Sequence, residues 1–414
     1  MIHLSYQPKN KLSPVKITGS KSESNRLLLL NALFDDALDL QNLSNAEDTQ
    51  LMQNALKEKK EVVDIHHAGT AMRFLTAYFA IQNKETHILT GSQRMKERPI
   101  KILVDALKEL GAEIEYLEND GFPPLKITGT ELTQPTIDIP ANISSQYITA
   151  LLLIGTKLVN GLTINLIGKI TSLPYLMMSV ELLKNVGIEV EFTNNQLVVA
   201  YSKNILPQVF EIESDWSSAS YFYSFIALSE PETTITIQNY RAKSLQGDAA
   251  LQTIYRDNFG VESSFEKNCL TLKKIKDFSL PTKILLDLNQ TPDIAQTLAV
   301  TCLGLEIPCH FTGLETLKIK ETDRLVALQN ELSKFGAKVN ITQQELSITA
   351  YNENNLSREL IVETYNDHRM AMAFAPLAIL HSFSIKDPDV VKKSYPNFWS
   401  DWTSIGFVIR TAQQ

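Results

Sequence analysis

Four stretches of the chain carry the same succession of apolar and polar positions: LKELGAEIEYLENDGFPPLKITG, LKNVGIEVEFTNNQLVVA, YRDNFGVESSFEKNCLTLKK and LSKFGAKVNITQQELSITA. Each reads as a helix end, a glycine suited to a helix C-cap, an alternating strand, a polar turn and a second strand. The marker glycines are Gly111, Gly187, Gly260 and Gly336, with a weaker echo at Gly406; their separations are 76, 73, 76 and 70 residues. That period is longer than the roughly 20–50 residues of solenoid repeats. It suits a small α/β unit of two helices and several strands, repeated several times. A chain of 414 residues is too long for one core, so several repeats in each of two domains is the economical arrangement.

A second pattern runs through the helices. GSKSESNRLLLLNALF, HHAGTAMRFLTAYFAI, NISSQYITALLLIG, SDWSSASYFYSFIALS, TPDIAQTLAVTCLG, KETDRLVALQNELSKFG and YNDHRMAMAFAPLAIL each open on a polar cluster and then turn nearly all apolar. Helices apolar all round are buried ones, so these are expected inside the domains. Ser, Asp and Asn at their starts are ordinary capping chemistry. Capping does not account for the cations. Lys21, Arg26, Arg73, Lys320, Arg324, Arg369 and nearby Arg94 sit at or beside helix starts, where the helix dipole repels them.

The charge balance makes this sharper. Net charge is −8, which argues against a general nucleic-acid or membrane-surface binder. A cationic cluster in an acidic protein is therefore a local anion trap, made of backbone N–H groups and fixed charges if the helix starts converge. Ser22 and Arg26, like Lys320 and Arg324, are four residues apart and share a helix face. Arginine suits bidentate recognition of phosphate or carboxylate, while lysine acts as a point charge. So many cations exceed the need of one phosphate; two phosphates plus carboxylates would use them.

Two carboxylates complicate a pure binding role. Glu321 lies between Lys320 and Arg324, and Asp293 follows Pro292 at a helix start. In a site built for anions they weaken binding unless they move protons. No GxxxxGKS/T or GxGxxG loop is present, which disfavours ATP and NAD dependence. Cys269, Cys302 and Cys309 have no paired metal-ligand spacing, so neither a disulfide framework nor a zinc cluster is indicated. MIHLSYQPKNKL lacks the apolar core of a signal peptide, and no apolar run approaches a membrane span. The cytoplasm is the expected compartment.

The motifs GSKSESNR, AGTAMR, RMKERPI, SSQY, SDWSSASYF, SLQGD, PDIAQT, KETDR and YNDHRMAMA, in this order from Gly19 to about Trp399, resemble the EPSP synthase family of enolpyruvyl transferases, enzymes of the shikimate pathway to chorismate and the aromatic amino acids. The resemblance implies an α/β fold of two domains, each of three repeated βαβαββ units with buried parallel helices. It implies one domain of residues 20–213 and a second of 1–19 with 214–414, the active site lying in the cleft between them. The implied reaction joins shikimate 3-phosphate to phosphoenolpyruvate through a tetrahedral intermediate and then eliminates phosphate. No metal or organic cofactor is implied, and the enzyme is expected to be a monomer with small-molecule substrates and no nucleic acid or membrane partner. By the same resemblance Lys21, Gly69, Arg94, Gln146, Arg324, Arg369 and Lys393 hold phosphoenolpyruvate. Lys21, Ser22, Arg26, Ser144, Ser145, Gln146, Ser172, Tyr175, Asp293 and Lys320 hold shikimate 3-phosphate. Asp293 takes the proton of the attacking 5-hydroxyl, and Glu321 or Lys21 protonates the methylene carbon. The family's inhibitor glyphosate occupies the phosphoenolpyruvate site.

The chain departs from the family's pattern in places. His67 stands where Asn is usual, Phe74 where the family has Pro, and Trp216 among small residues; Thr316 occupies a position often Asn, and the stretch from Asn54 to His67 is much shorter than usual. Two rival readings are a UDP-N-acetylglucosamine enolpyruvyl transferase and a catalytically inactive anion-binding homologue. The first usually works with a reactive Cys in its N-terminal half, and this chain has no Cys before Cys269. Retention of both Asp293 and Glu321 argues against the second.

Overall fold

All five marker glycines adopt positive φ, at 112° for Gly111, 85° for Gly187, 65° for Gly260, 86° for Gly336 and 114° for Gly406. A side chain would be strained there, which is why glycine recurs at this point before each of these strands. At the first of them Gly111 N donates to Lys108 O and Ala112 N to Leu107 O, so the chain leaves the helix Lys101–Leu110 and enters a hairpin. Equivalent hairpins follow: Val190–Thr193 with Gln196–Val199, Val261–Glu266 with Cys269–Lys274, and Phe335–Ile341 with Leu346–Leu356. After Gly406 the strand Phe407–Thr411 finds its partner in the N-terminal strand Ile2–Tyr6.

Each hairpin extends a parallel pair of strands. In the first sheet Val62–Asp64 runs parallel to Thr86–Thr90, which pairs antiparallel with Leu125–Thr128, which pairs in turn with Glu113–Tyr116. Among the described residues four more four-stranded sheets repeat that order. The remaining sheet keeps only its parallel pair, Leu38–Gln41 with Gln208–Glu211. The short stretch after Asn54 explains this: the helix Glu47–Glu58 leads almost directly into the strand Val62–Asp64, leaving no chain for a hairpin. The computed structural model describes residues 1–9, 11–58, 60–142, 144–356 and 359–411, with the backbone alone for 353–356.

The chain divides into two compact units, Gly19–Ile212 and Met1–Thr18 with Glu213–Gln414. In the first, the helices Lys21–Leu33, Gly69–Ala80 and Ser145–Gly155 pack on one another. In the second, Trp216–Leu228 and Ala295–Gly304 pack with His368–Phe374 and its 3₁₀ continuation Ala375–Ile379. These inner helices have no solvated face; every residue of Gly69–Ala80 is buried. Removing a side chain such as Phe79 from that packing costs about 3–5 kcal/mol. The KETDR segment is different. Its helix Arg324–Lys334 is amphipathic, with Val326, Asn330 and Ser333 exposed, so it is an outer helix and not one of the buried set. Among the described residues no helix is long and apolar enough to cross a membrane.

Candidate active site

The polar helix starts of the Gly19–Ile212 unit carry one set of candidate residues. Lys21 opens its helix and its Nζ lies 3.0 Å from Asp48 Oδ2, a buried acid on the next helix. Arg26, one turn on, is buried and bonded through all three of its nitrogens: Nε donates to Ser179 Oγ at 2.8 Å, Nη1 to Ser22 O at 2.7 Å and Nη2 to Tyr175 O at 3.1 Å. Its guanidinium also stands over the Phe74 ring, 5.7 Å from the centroid. Burial pushes its pKa down to about 10, against the opposing fields of Tyr175 and Glu23. Phe74 is thus the apolar floor beneath Arg26, and Arg26 joins Ser22 to Tyr175 structurally, whatever else it binds. Ser172, just before Tyr175, is held at φ 53°, a conformation that costs a non-glycine residue energy and persists only where packing enforces it.

A second helix start stands beside it. Ser144 caps the helix Ser145–Gly155, accepting from Gln146 N at 3.3 Å, and Ser145 is buried as its first residue. Gln146 Nε2 donates to Thr70 Oγ1 at 3.3 Å, which ties this helix start to Gly69. Arg73, counted among the cations by its position, is a clamp: Nη1 donates to Gly69 O at 3.1 Å and Nη2 to Pro99 O at 3.2 Å. Arg94 lies on the short helix Gln93–Lys96 and pairs with Glu97 at 3.2 Å, both side chains well exposed. His67, the departure from the family's Asn, is bonded through Nδ1 to Ser92 Oγ at 2.8 Å.

The other unit gathers its candidates into one ion cluster. Asp293 Oδ1 lies 3.1 Å from Arg324 Nη1 and 3.4 Å from Lys320 Nζ, and its Oδ2 lies 3.3 Å from Arg369 Nη2. Glu321 accepts from Arg324 Nη2 at 2.9 Å and from Lys393 Nζ. Asp367 completes the set, accepting from Arg324 Nε at 2.7 Å and from Arg369 N at 2.9 Å as the cap of its helix. Burial would raise the Asp293 carboxyl, but the fields of Lys320, Arg369 and Arg324 outweigh it and hold the group well below the usual carboxylate range. Arg324 is held above its ordinary pKa; burial opposes this, and Asp367, Glu321 and Asp293 overcome it. The four cations are therefore matched by three acids, and the cluster is less positive than the spacing of the cations alone suggests.

Several contributors were not legible as such. Asp48 looks like an ordinary first-turn acid and Asp367 like an ordinary cap, which it also is. Asp248, in the SLQGD motif, accepts from Ser217 Oγ at 2.5 Å, and Ser217 Oγ accepts from Arg369 Nη2 at 3.2 Å. Burial and the charge of Asp293 push the Asp248 carboxyl up to about 6, against Arg369 and the Ser217 bond. Trp216 is buried and donates from Nε1 to Glu213 Oε1 at 2.9 Å. All three cysteines lie in this unit, Cys302 and Cys309 buried. Among the described residues no group of three or more His, Cys, Asp or Glu could hold a metal ion.

Cation-rich clusters with embedded carboxylates suit phosphorylated, carboxylated substrates and proton transfer between them. The family model of EPSP synthase (3-phosphoshikimate 1-carboxyvinyltransferase) matches residues 6–60 and 56–402. A 3-phosphoshikimate 1-carboxyvinyltransferase of Bacteroides fragilis is 42% identical over 415 residues, covering 100% of each chain. One of Aliivibrio fischeri is 34% identical, covering 96% of this chain and 98% of its own. In fold, the chain is similar to an EPSP synthase from Acinetobacter baumannii (TM-score 0.74, 19% identity, 99% and 100% of the two chains). It is also similar to the enolpyruvyl transferase NikO from Streptomyces tendae (TM-score 0.71, 15% identity, 100% and 99%). These solved structures bear on the two-domain enolpyruvyl-transferase fold; the full-length sequence matches bear on the family. With its motifs in order, its ion cluster and its matches along nearly the whole length, the chain belongs to the EPSP synthase family.

Proposed function

We propose that the protein transfers the carboxyvinyl group of phosphoenolpyruvate to the 5-hydroxyl of shikimate 3-phosphate, giving 5-enolpyruvylshikimate 3-phosphate and phosphate. The observation that carries this reading is the Asp293–Lys320–Glu321–Arg324–Arg369–Lys393 cluster in a chain of this family. Lys21, Gly69, Arg94, Gln146, Arg324, Arg369 and Lys393 are assigned to phosphoenolpyruvate. Lys21, Ser22, Arg26, Ser144, Ser145, Gln146, Ser172, Tyr175, Asp293 and Lys320 are assigned to shikimate 3-phosphate.

Asp293 removes the proton of the 5-hydroxyl as its oxygen attacks C2 of phosphoenolpyruvate. Glu321 or Lys21 delivers a proton to C3, and the methylene becomes the methyl of a tetrahedral intermediate. Loss of that proton with departure of phosphate then yields the enol ether. The ion cluster adds a condition. While Lys320, Arg324 and Arg369 all face Asp293, its carboxylate is a poor base. Substrate phosphates and carboxylates draw those cations to themselves, and the basicity of Asp293 recovers as they do. The base is thereby switched on by the substrates it serves. The reading extends to a monomer in the cytoplasm, and gel filtration of the purified chain tests the monomer. Phosphate release that requires both substrates tests the reaction; a chain that releases none with both present overturns it.

A further inference from the structure

The motifs SDWSSASYF and SLQGD hold no substrate in the assignment above, yet they bond to each other at the start of the helix Trp216–Leu228. Asp215 caps that helix, accepting from Ser218 N at 2.8 Å. Gln246 docks the second motif onto the same turn: its Oε1 accepts from Trp216 N and its Nε2 donates to Ser214 O, each at 2.9 Å. Two residues on, Asp248 lies on the 3₁₀ turn Gly247–Ala250, buried, with its carboxylate on Ser217 Oγ. The backbone of Ser217 is fixed as well. Its carbonyl accepts from Ser220 Oγ at 2.6 Å, and Ser220 Oγ stands 2.9 Å from Thr297 Oγ1 on the helix Ala295–Gly304.

A serine hydroxyl has one hydrogen and two lone pairs. Ser217 commits its hydrogen to Asp248, so its oxygen is left to accept, and the donor it meets is Arg369 Nη2 at 3.2 Å. The same nitrogen lies 3.3 Å from Asp293 Oδ2. These two acceptors differ in charge. Asp293 competes with a substrate anion for the guanidinium, whereas Ser217 is neutral and holds the guanidinium without cancelling its charge.

We propose that Ser217 and Asp248 are positioning residues for Arg369: Asp248 orients the Ser217 hydroxyl, and Ser217 aims the guanidinium at phosphoenolpyruvate. This rests on the function proposed above. Through its field alone, an acid beside an anion site weakens binding, and its removal tightens it. An acid that works through Ser217 has the opposite effect. The sign of the change therefore separates positioning from simple electrostatics.

The test uses the full-length enzyme with steady-state kinetics in both substrates, on Ser217→Ala, Ser217→Thr, Asp248→Ala and the Ser217→Ala/Asp248→Ala double variant. Loss of a hydrogen bond to a charged group predicts a KM for phosphoenolpyruvate raised roughly 5–50-fold in Ser217→Ala, with the KM for shikimate 3-phosphate changed less than about twofold. The change in kcat should be smaller than that in the phosphoenolpyruvate KM. Ser217→Thr keeps the hydroxyl and should restore a KM near the parent's. Asp248→Ala should also raise the phosphoenolpyruvate KM, and the double variant should cost no more than Ser217→Ala, because one residue acts through the other. An unchanged phosphoenolpyruvate KM in Ser217→Ala, a lowered one in Asp248→Ala, or fold-costs that multiply in the double variant would overturn the inference. Should Asp248→Ala fail to fold, the contrast between Ala and Thr at position 217 decides alone, and a Thr variant as impaired as the Ala variant counts against the idea. A parent chain without phosphate release would instead sink the function, so the two failures are distinguishable.

Discussion

Arg324 and Asp367 form a buried ion pair, Nε donating to Oδ2 at 2.7 Å and Nη2 to Oδ1 at 3.3 Å, with almost no solvent on either side chain. The pair fixes a guanidinium whose remaining N–H groups reach Asp293 and Glu321. Breaking a buried pair from one side leaves a charge without compensation and costs about 3–5 kcal/mol. Asp367→Asn should fall at the lower end, since Arg324 keeps two other carboxylates. Urea unfolding measures this, and a loss below about 1 kcal/mol would show the pair to be dispensable.

Asp293 and Glu321 each pair with cations, and the function proposed above also has them move protons. Asp293→Ala and Glu321→Ala should therefore lower kcat by about 10²–10⁴-fold. Neither should raise the KM for phosphoenolpyruvate, because each removes an acid that competes with the substrate for Lys320, Arg324, Arg369 or Lys393. Lys393→Ala should behave oppositely, raising that KM with a smaller effect on kcat. Near-normal turnover in the Glu321 variant would remove it from the mechanism.

Asp248 predicts a pH signature in stability. Its folded-state pKa, raised to about 6 chiefly by burial, lies above the ordinary value of 3.8, and Asp293, Arg369 and Asp215 are the charges that act on it. The unfolded chain loses this proton first, so the group's stabilising contribution is complete below about pH 4 and is lost as pH rises through about 6. Asp248→Asn has no such loss. Its stability relative to the parent should improve between pH 4 and pH 6 by on the order of 2–3 kcal/mol, then level off. Chemical denaturation at several pH values checks this; a constant difference would mean that Asp248 does not titrate in that window.

Gly69→Ala should raise the inhibition constant of glyphosate by more than it raises the KM for phosphoenolpyruvate. The added methyl must move the Arg98 guanidinium, and a ligand slightly longer than the substrate tolerates that displacement less. Inhibition against varied phosphoenolpyruvate measures both constants. Equal inhibition of parent and variant would place position 69 away from the inhibitor.

Much of the architecture was readable along the chain because it depends on local chemistry. The helix-ending glycines, the alternating strands after them and the uniformly apolar inner helices are each set by neighbours within about one turn or one hairpin. Even the reduced sheet is foreshadowed, since a stretch too short for a hairpin carries no marker glycine between Asn54 and His67. The outer helix Arg324–Lys334 was misread because its polar opening copies that of the inner helices, and only its later exposed positions differ.

The chemistry of the candidate site divides in the same way. Its residue types, and the oddity of cations at helix starts, are properties of sequence. Which cation meets which acid is decided by tertiary structure, because the partners are far apart along the chain: Lys21 with Asp48, Arg26 with Ser179, Arg324 with Asp367, Lys393 with Glu321. Ion pairing falls off over a few ångströms, and no spacing rule brings residues 72 positions apart into contact. Residue types alone mark the candidate site as one suited to anions; tertiary packing sets which cations are already paired, and that Arg98 lies where Gly69 has no side chain.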